Sequence, residues 1–261
     1  IVTPYSWISS ASCVLMQNAT PVFCDIESET FGLDPDAVRQ KITPQTKAII
    51  AVHTFGYPIK IDELLDIAST HGLALIEDGS HALGAQLEDR QVGTFGHVSV
   101  FSLHQRKALS VGDGGMVCTS DSQLAEKITR LRSFGDEDLS YNYRMTEFAA
   151  AIGSIRIERL NKENAARVEN ARYLASLVEP SSPVKVMWPR ASTNGVFYAA
   201  LLLVKEPILD LDKSLESMRD EGVPIRFTWS ALNKHPHFNP RRRPARGFPT
   251  TQVSGKTTVK R

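Results

Sequence analysis

From residue 20 onward, short apolar runs alternate with stretches in which apolar residues recur at helical spacing. The runs cover 21–24, 48–52, 73–76 and 98–101 and are apolar at consecutive positions, the pattern of strands covered on both faces in a largely parallel sheet. Between the second and third runs, Leu64, Leu65, Ile67 and Ala68 lie at helical spacing and Gly72 follows as a stop, so 48–76 reads as a βαβ unit. After Cys118, the residues Thr119, Ser120 and Asp121 offer N-caps to a helix whose apolar stripe is Leu124, Ile128 and Leu131. The stretch 146–178 contains no proline and predicts a long helical connector, either continuous or broken, closed by Pro180 and Pro183. A second unit follows, with a strand-like run over 196–204, a helix near 211–220 and a turn at Gly222.

The pattern predicts an α/β chain, a mostly parallel sheet with helices on both faces, followed by a small α+β unit. The expected boundaries are a large domain over 1–145, a connector over 146–180, a small and incomplete C-terminal domain over 181–240, and a basic, proline-rich tail over 241–261 read as loop or disorder.

Composition narrows the function classes. The 261 residues are 42% hydrophobic, enough for a substantial core. Lysine and arginine total 30 against 29 acidic residues, so no overall field favours nucleic acid, a membrane surface or an acidic partner, and small polar substrates remain open. Cys13, Cys24 and Cys118 are too few and too far apart for a disulfide framework or a zinc knuckle and read as reduced thiols, with no metal expected. No apolar run approaches the roughly 18 residues of a membrane helix, and no signal-peptide pattern opens the chain, so a soluble, cytoplasmic protein is expected. The chain starts at Ile1-Val2-Thr3-Pro4, already at what reads as a strand end, which suggests a fragment.

Candidate chemistry gathers at two strand ends. Lys107 follows the apolar run 98–101 and precedes Gly112-Asp113-Gly114-Gly115, a place that suits a covalent anchor. Asp78 ends the run that precedes it, so the two side chains are expected to meet at a cofactor site. The glycines do not have the G-x-G-x-x-G spacing of a dinucleotide fold, and a strand rather than a helix is expected after them. They read instead as a tight turn.

These strings resemble a known family. Ser102 to Gly115 is similar to the S-F-x-x-x-K-x-x-x-x-G-E-G-G signature of the DegT/DnrJ/EryC1/StrS aminotransferases, with Asp113 in place of the usual glutamate. Thr20-Pro21-Val22-Phe23 with Asp25, Val52-His53 with Phe55-Gly56, Glu77-Asp78 through Gly84-Ala85, 92–96 and 141–145 occur in the family's order. The resemblance covers about 230 residues and implies the aspartate-aminotransferase-like type I fold of pyridoxal-phosphate (PLP) dependent transferases.

What it implies for single residues is specific. Lys107 resembles the Schiff-base lysine, which must be neutral to act. Asp78 resembles the carboxylate that faces the pyridine nitrogen of the cofactor. His81 stands where many members have glutamine, near the cofactor's phenolic oxygen, and a histidine there is similar to the cyclitol and aminohydroxybenzoate branch. Trp7 resembles the aromatic that stacks on the cofactor ring. Ser102 resembles the hydroxyl that binds the phosphate, and Asn142 the asparagine that reaches the neighbouring subunit's phosphate, which implies a homodimer with shared sites. His53 and Tyr57, around Gly56, are weaker candidates on the substrate side.

The implied activity is transfer of an amino group from glutamate or glutamine to a keto sugar or a scyllo-inosose-like keto cyclitol. The alternatives are a lyase of the aminohydroxybenzoate-synthase type and a non-catalytic remnant of the family. The dehydratase branch carries histidine in place of the lysine, so Lys107 speaks against it. Family chains extend further at the N-terminus, where a turn and a helix start hold the cofactor phosphate.

Overall fold

A computed structural model describes residues 1–133, 140–205 and 210–238. The expected tail over 241–261 lies outside the described residues.

Helix α1 (Ser9–Met16) and helix α2 (Pro35–Lys41) precede the first full strand, β1 (Ala48–Val52). Helix α3 (Ile61–Thr70) leads to β2 (Ala74–Asp78), and a small hairpin of β3 (Gln86–Leu87) and β4 (Arg90–Gln91) leads to β5 (Val98–Ser102). The order in the main sheet is then completed by β6 (Gly115–Cys118), with β1, β2 and β5 mutually parallel and β6 antiparallel to β5. Val2 makes parallel bridges to both Ile50 and Phe23, extending the sheet beyond β1. The apolar run 21–24 therefore appears as a single bridge rather than a strand.

Neighbouring side chains on β1 enter different cores. Ile49 and Ala51 pack with Leu75 and with Leu64, Ile67 and Ala68 of α3, whereas Ile50 packs with Val2, Ala11 and Leu15 on the α1 side. Helices on both faces are what the consecutive apolar positions required. Gly72, at φ 61°, ends the α3 turn as expected. Helix α2 begins at Asp34-Pro35, with the Asp34 carboxylate accepting from Asp36 N.

Helix α4 (Ser122–Arg132) is capped by Asp121, whose carboxylate accepts from Gln123 N and Leu124 N. Helix α5 (Glu147–Leu177) is one unbroken element of 31 residues, capped by Thr146. Its Ala149 and Leu160 pack against Leu103, Leu109 and Val111 of the loop after β5. Further along, Ala171 and Val168 join Tyr57, Phe197 and Leu201.

The C-terminal elements are β7 (Val184–Val186), β8 (Thr193–Asn194), β9 (Leu202–Val204) and helix α6 (Leu211–Asp220). β7 pairs antiparallel with β9, and β8 pairs antiparallel with β3. The strand expected over 196–204 is shorter than its apolar pattern: Phe197 sits at φ 48°, so the chain turns before β9 begins. Val196, Phe197 and Leu201 are buried by packing rather than by strand pairing.

Candidate active site

The site forms where parallel strands end, the place at which open α/β sheets take ligands. Asp78 closes β2 and Ser102 closes β5. Gly79 N donates to Val100 O at 2.9 Å, tying the turn after Asp78 to the strand that delivers Lys107. Substituting Gly79 would push a Cβ to 2.5 Å from the Phe101 ring, so this turn has no room for a side chain.

Lys107 lies on the loop between β5 and β6. The loop is pinned by Leu103 N to Gly114 O at 2.9 Å and Val111 N to Leu103 O at 3.0 Å, and its inner side chains rest on α5. Lys107 N itself donates to His104 O at 2.8 Å. Its side chain is half-buried, and burial drives the amine's pKa down against the opposing charge of Asp78. The lysine and aspartate that the sequence paired are thus electrostatic neighbours.

Asp78 is held on both oxygens. Ser10 Oγ donates to Oδ2 at 2.8 Å and Ser80 N donates to Oδ1 at 3.1 Å, while Ser6 Oγ lies 2.9 Å from Ser10 Oγ. A carboxylate oriented by two donors is a fixed charge rather than a mobile one.

His81 is buried, and its pKa is lowered to about 3, first by burial and then by the charge of Lys107, with Asp78 opposing. It is a neutral imidazole near pH 7. Its Nδ1 is buried without a hydrogen-bond partner among the described residues, an orphan that costs about 1–3 kcal/mol unless a ligand satisfies it. The ring stacks on Tyr198, with centroids 4.0 Å apart and planes 4° from parallel, and on Trp229 at 5.6 Å and 18°.

Ser102 Oγ accepts from His104 N at 3.4 Å at the base of the lysine loop. Trp7 is 58% exposed on the turn into α1, one helical turn before Ser10. Asn142 is exposed, and its Oδ1 accepts from Arg144 Nε at 3.2 Å.

His53 and Tyr57 are in the interior and do not line an open substrate face. Ile59 N donates to His53 Nδ1 at 3.3 Å, which leaves the proton on Nε2, and this donates to Glu77 Oε2 at 3.3 Å. Glu77 also accepts from Gly93, Phe95 and Gly96 N at 2.6–2.7 Å. Burial alone would raise the Glu77 pKa, but the His53 contact and these amides hold it below the usual carboxylate range. The pair braces the strand end, where His53 N donates to Asp78 O at 3.0 Å.

Ser10, Tyr198 and Trp229 were not picked out by sequence reasoning. Ser10 had a signal, the hydroxyl-rich string Ser9-Ser10 after Trp7, while the two aromatics arrive through tertiary packing alone.

The parallel strands β1, β2 and β5, with helices on both faces, form an aspartate-aminotransferase-like transferase fold. The chain belongs to the DegT/DnrJ/EryC1/StrS aminotransferase family, which matches residues 1–259. It is similar to L-glutamine:2-deoxy-scyllo-inosose aminotransferase of Streptomyces kanamyceticus, at 35% identity over 92% of this chain and 61% of that protein. It is also similar to GDP-perosamine synthase of Vibrio cholerae, at 33% identity over 92% of this chain and 65% of that protein. Among solved structures, Helicobacter pylori PseC, an aminotransferase involved in the biosynthesis of pseudoaminic acid, superposes with a TM-score of 0.86 at 26% identity, over 91% of this chain and 67% of that one. The chain thus spans less than two thirds of both named curated relatives.

Proposed function

We propose that the protein is a PLP-dependent aminotransferase that moves an amino group from glutamate or glutamine to a keto sugar or keto cyclitol, with Lys107 as the covalent anchor. The observation that carries this reading is the meeting of a half-buried Lys107 with a doubly held Asp78 and a neutral His81 whose Nδ1 has no hydrogen-bond partner among the described residues.

The residues fit the group. Asp78 would offer a fixed negative charge for a protonated ring nitrogen, His81 Nδ1 an unused polar atom for the phenolic oxygen, and the Ser102 hydroxyl a donor for phosphate. When bound, the pyridinium ring supplies an electron sink for negative charge developing at the carbon that bears the nitrogen.

The chain's own residues do the rest. Ser10 and Ser80 N orient the Asp78 carboxylate, so no reorganisation is needed when charge develops. Burial favours the neutral form of Lys107, so its Nζ can take a proton from the donor's α-carbon and later return one to the acceptor's carbon. A keto cyclitol acceptor is supported by the histidine at position 81 and by the name of the first relative.

A homodimer with shared sites is part of the same reading. Tyr141 and Tyr143 stack at 4.8 Å on the surface and flank Asn142. Phe148, Ile152 and Ile155 form an exposed apolar stripe at i, i+4 and i+7 of α5. Asn142 on such a surface suits a neighbour's site better than its own.

The test is to mix the protein with pyridoxal phosphate, follow the visible absorption band, reduce with borohydride and map the modified peptide. The adduct is expected on Lys107, and Lys107→Ala should lose both the band and about a thousandfold in transamination rate. An adduct elsewhere, or none, overturns the reading.

A further inference from the structure

Tyr198 comes to the lysine from the far half of the chain, and the chemistry above gives it no task. Lys107 Nζ lies 4.9 Å from the centroid of its ring, the same ring that stacks on His81 at 4.0 Å. The backbone is strained to put it there. Phe197, immediately before it, adopts φ 48°, a left-handed conformation that bulky aromatic residues seldom enter. Phe197 is clamped edge-on against Tyr57 at 5.3 Å and at a tilt against Trp188 at 4.8 Å. Gly56, at φ 90°, lets the segment come close: Val196 N donates to Gly56 O at 2.9 Å, and a Cβ on Gly56 would stand 2.9 Å from Tyr198 N. Strain of this kind persists only where the surroundings overdetermine it, and it clusters at functional sites.

We propose that Tyr198 is a positioning residue of the lysine centre, its ring face holding the Lys107 amine and stacking on the His81 imidazole. The ring, rather than the phenol oxygen, is what the site uses. The inference rests on the proposed function only for the lysine's chemical task; the placement itself belongs to the chain.

The negative face of the ring attracts the ammonium form. Tyr198 and Asp78 therefore oppose the burial that drives the amine toward neutrality. Asp78 and His81 face the lysine from the end of β2, His104 and Arg106 share its loop, and Arg156 of α5 donates to Ala108 O at 3.3 Å. None of these groups is removed when Tyr198 alone is substituted, and Tyr198→Phe keeps the stack on His81.

The experiment needs no cofactor. Lys107 is reductively methylated with formaldehyde and cyanoborohydride across a pH series, and the labelled peptide is quantified in the native protein, Tyr198→Phe and Tyr198→Leu. Tyr198→Phe should keep the native midpoint. Tyr198→Leu should move it down by about half a pH unit, which is about threefold more neutral amine at any pH below the midpoint. A residue that merely shields the lysine would alter the high-pH plateau and leave the midpoint in place, and that result overturns the proposal. A midpoint shifted equally in Tyr198→Phe also overturns it. If Tyr198→Leu does not fold, the His81 ring protons decide: face stacking should move their NMR signals to high field in the native protein and in Tyr198→Phe, and ordinary positions sink the idea. A shifted midpoint in a protein that takes no pyridoxal phosphate on Lys107 would leave this inference standing while the proposed function falls.

Discussion

His81 shows how much one buried side chain can carry. Its depressed pKa means that the folded protein binds fewer protons than the unfolded chain between about pH 3 and 6.5. Stability therefore rises with pH across that window and is lost as pH falls through it. Between pH 7 and pH 5 this one group should cost about 2 kcal/mol. Urea denaturation at the two values tests it: His81→Gln should remove about that much of the acid sensitivity, and an unchanged difference would refute the assignment. Glu77, whose folded pKa is depressed in the usual carboxylate sense, adds acid sensitivity of the same sign at lower pH.

At the scale of elements, the site depends on close backbone approach where the second half of the chain crosses the turn after β1. Gly56→Ala would place a Cβ 2.9 Å from Tyr198 N and 3.0 Å from His81 O, at a φ that alanine tolerates poorly. The expected cost is about 2 kcal/mol, read as a lower denaturation midpoint, with loss of the Tyr198–His81 stack. A variant of native stability would show that the segment moves aside freely. The sheet, α3, α4 and α5 were legible because each carries a local signature: consecutive apolar runs, Gly72, the Asp121 cap and a proline-free connector. The placement of Asp78 at the end of β2 and of Lys107 on the loop after β5 was legible for the same reason. Tyr198 was not, because it sits in an apolar run whose period says strand, and only the packing of Phe197 against Tyr57 turns the chain out of it. Helix α2 was overlooked despite its Asp34-Pro35 start.

At the scale of the whole molecule, the exposed stripe on α5 and the stacked tyrosines make an association test direct. Light scattering on the native protein should give the mass of two chains, and Phe148→Glu should give one without loss of helical signal. Phe148 is 85% exposed, so the substitution leaves the core untouched. A native monomer would remove the basis for Asn142 acting in a neighbour's site.

Helix α5 supports the lysine loop at Leu160 and the aromatic cluster next to Tyr198 at Ala171. At about 1.5 Å of rise per residue the two supports are separated by roughly 16 Å along a single rod. One inserted residue between them would rotate the far support by about 100° and break the alignment. The spacing from 160 to 171 therefore works as a molecular ruler: surface loops can change length as specificity diversifies, while this stretch can vary in residue type but not in residue count.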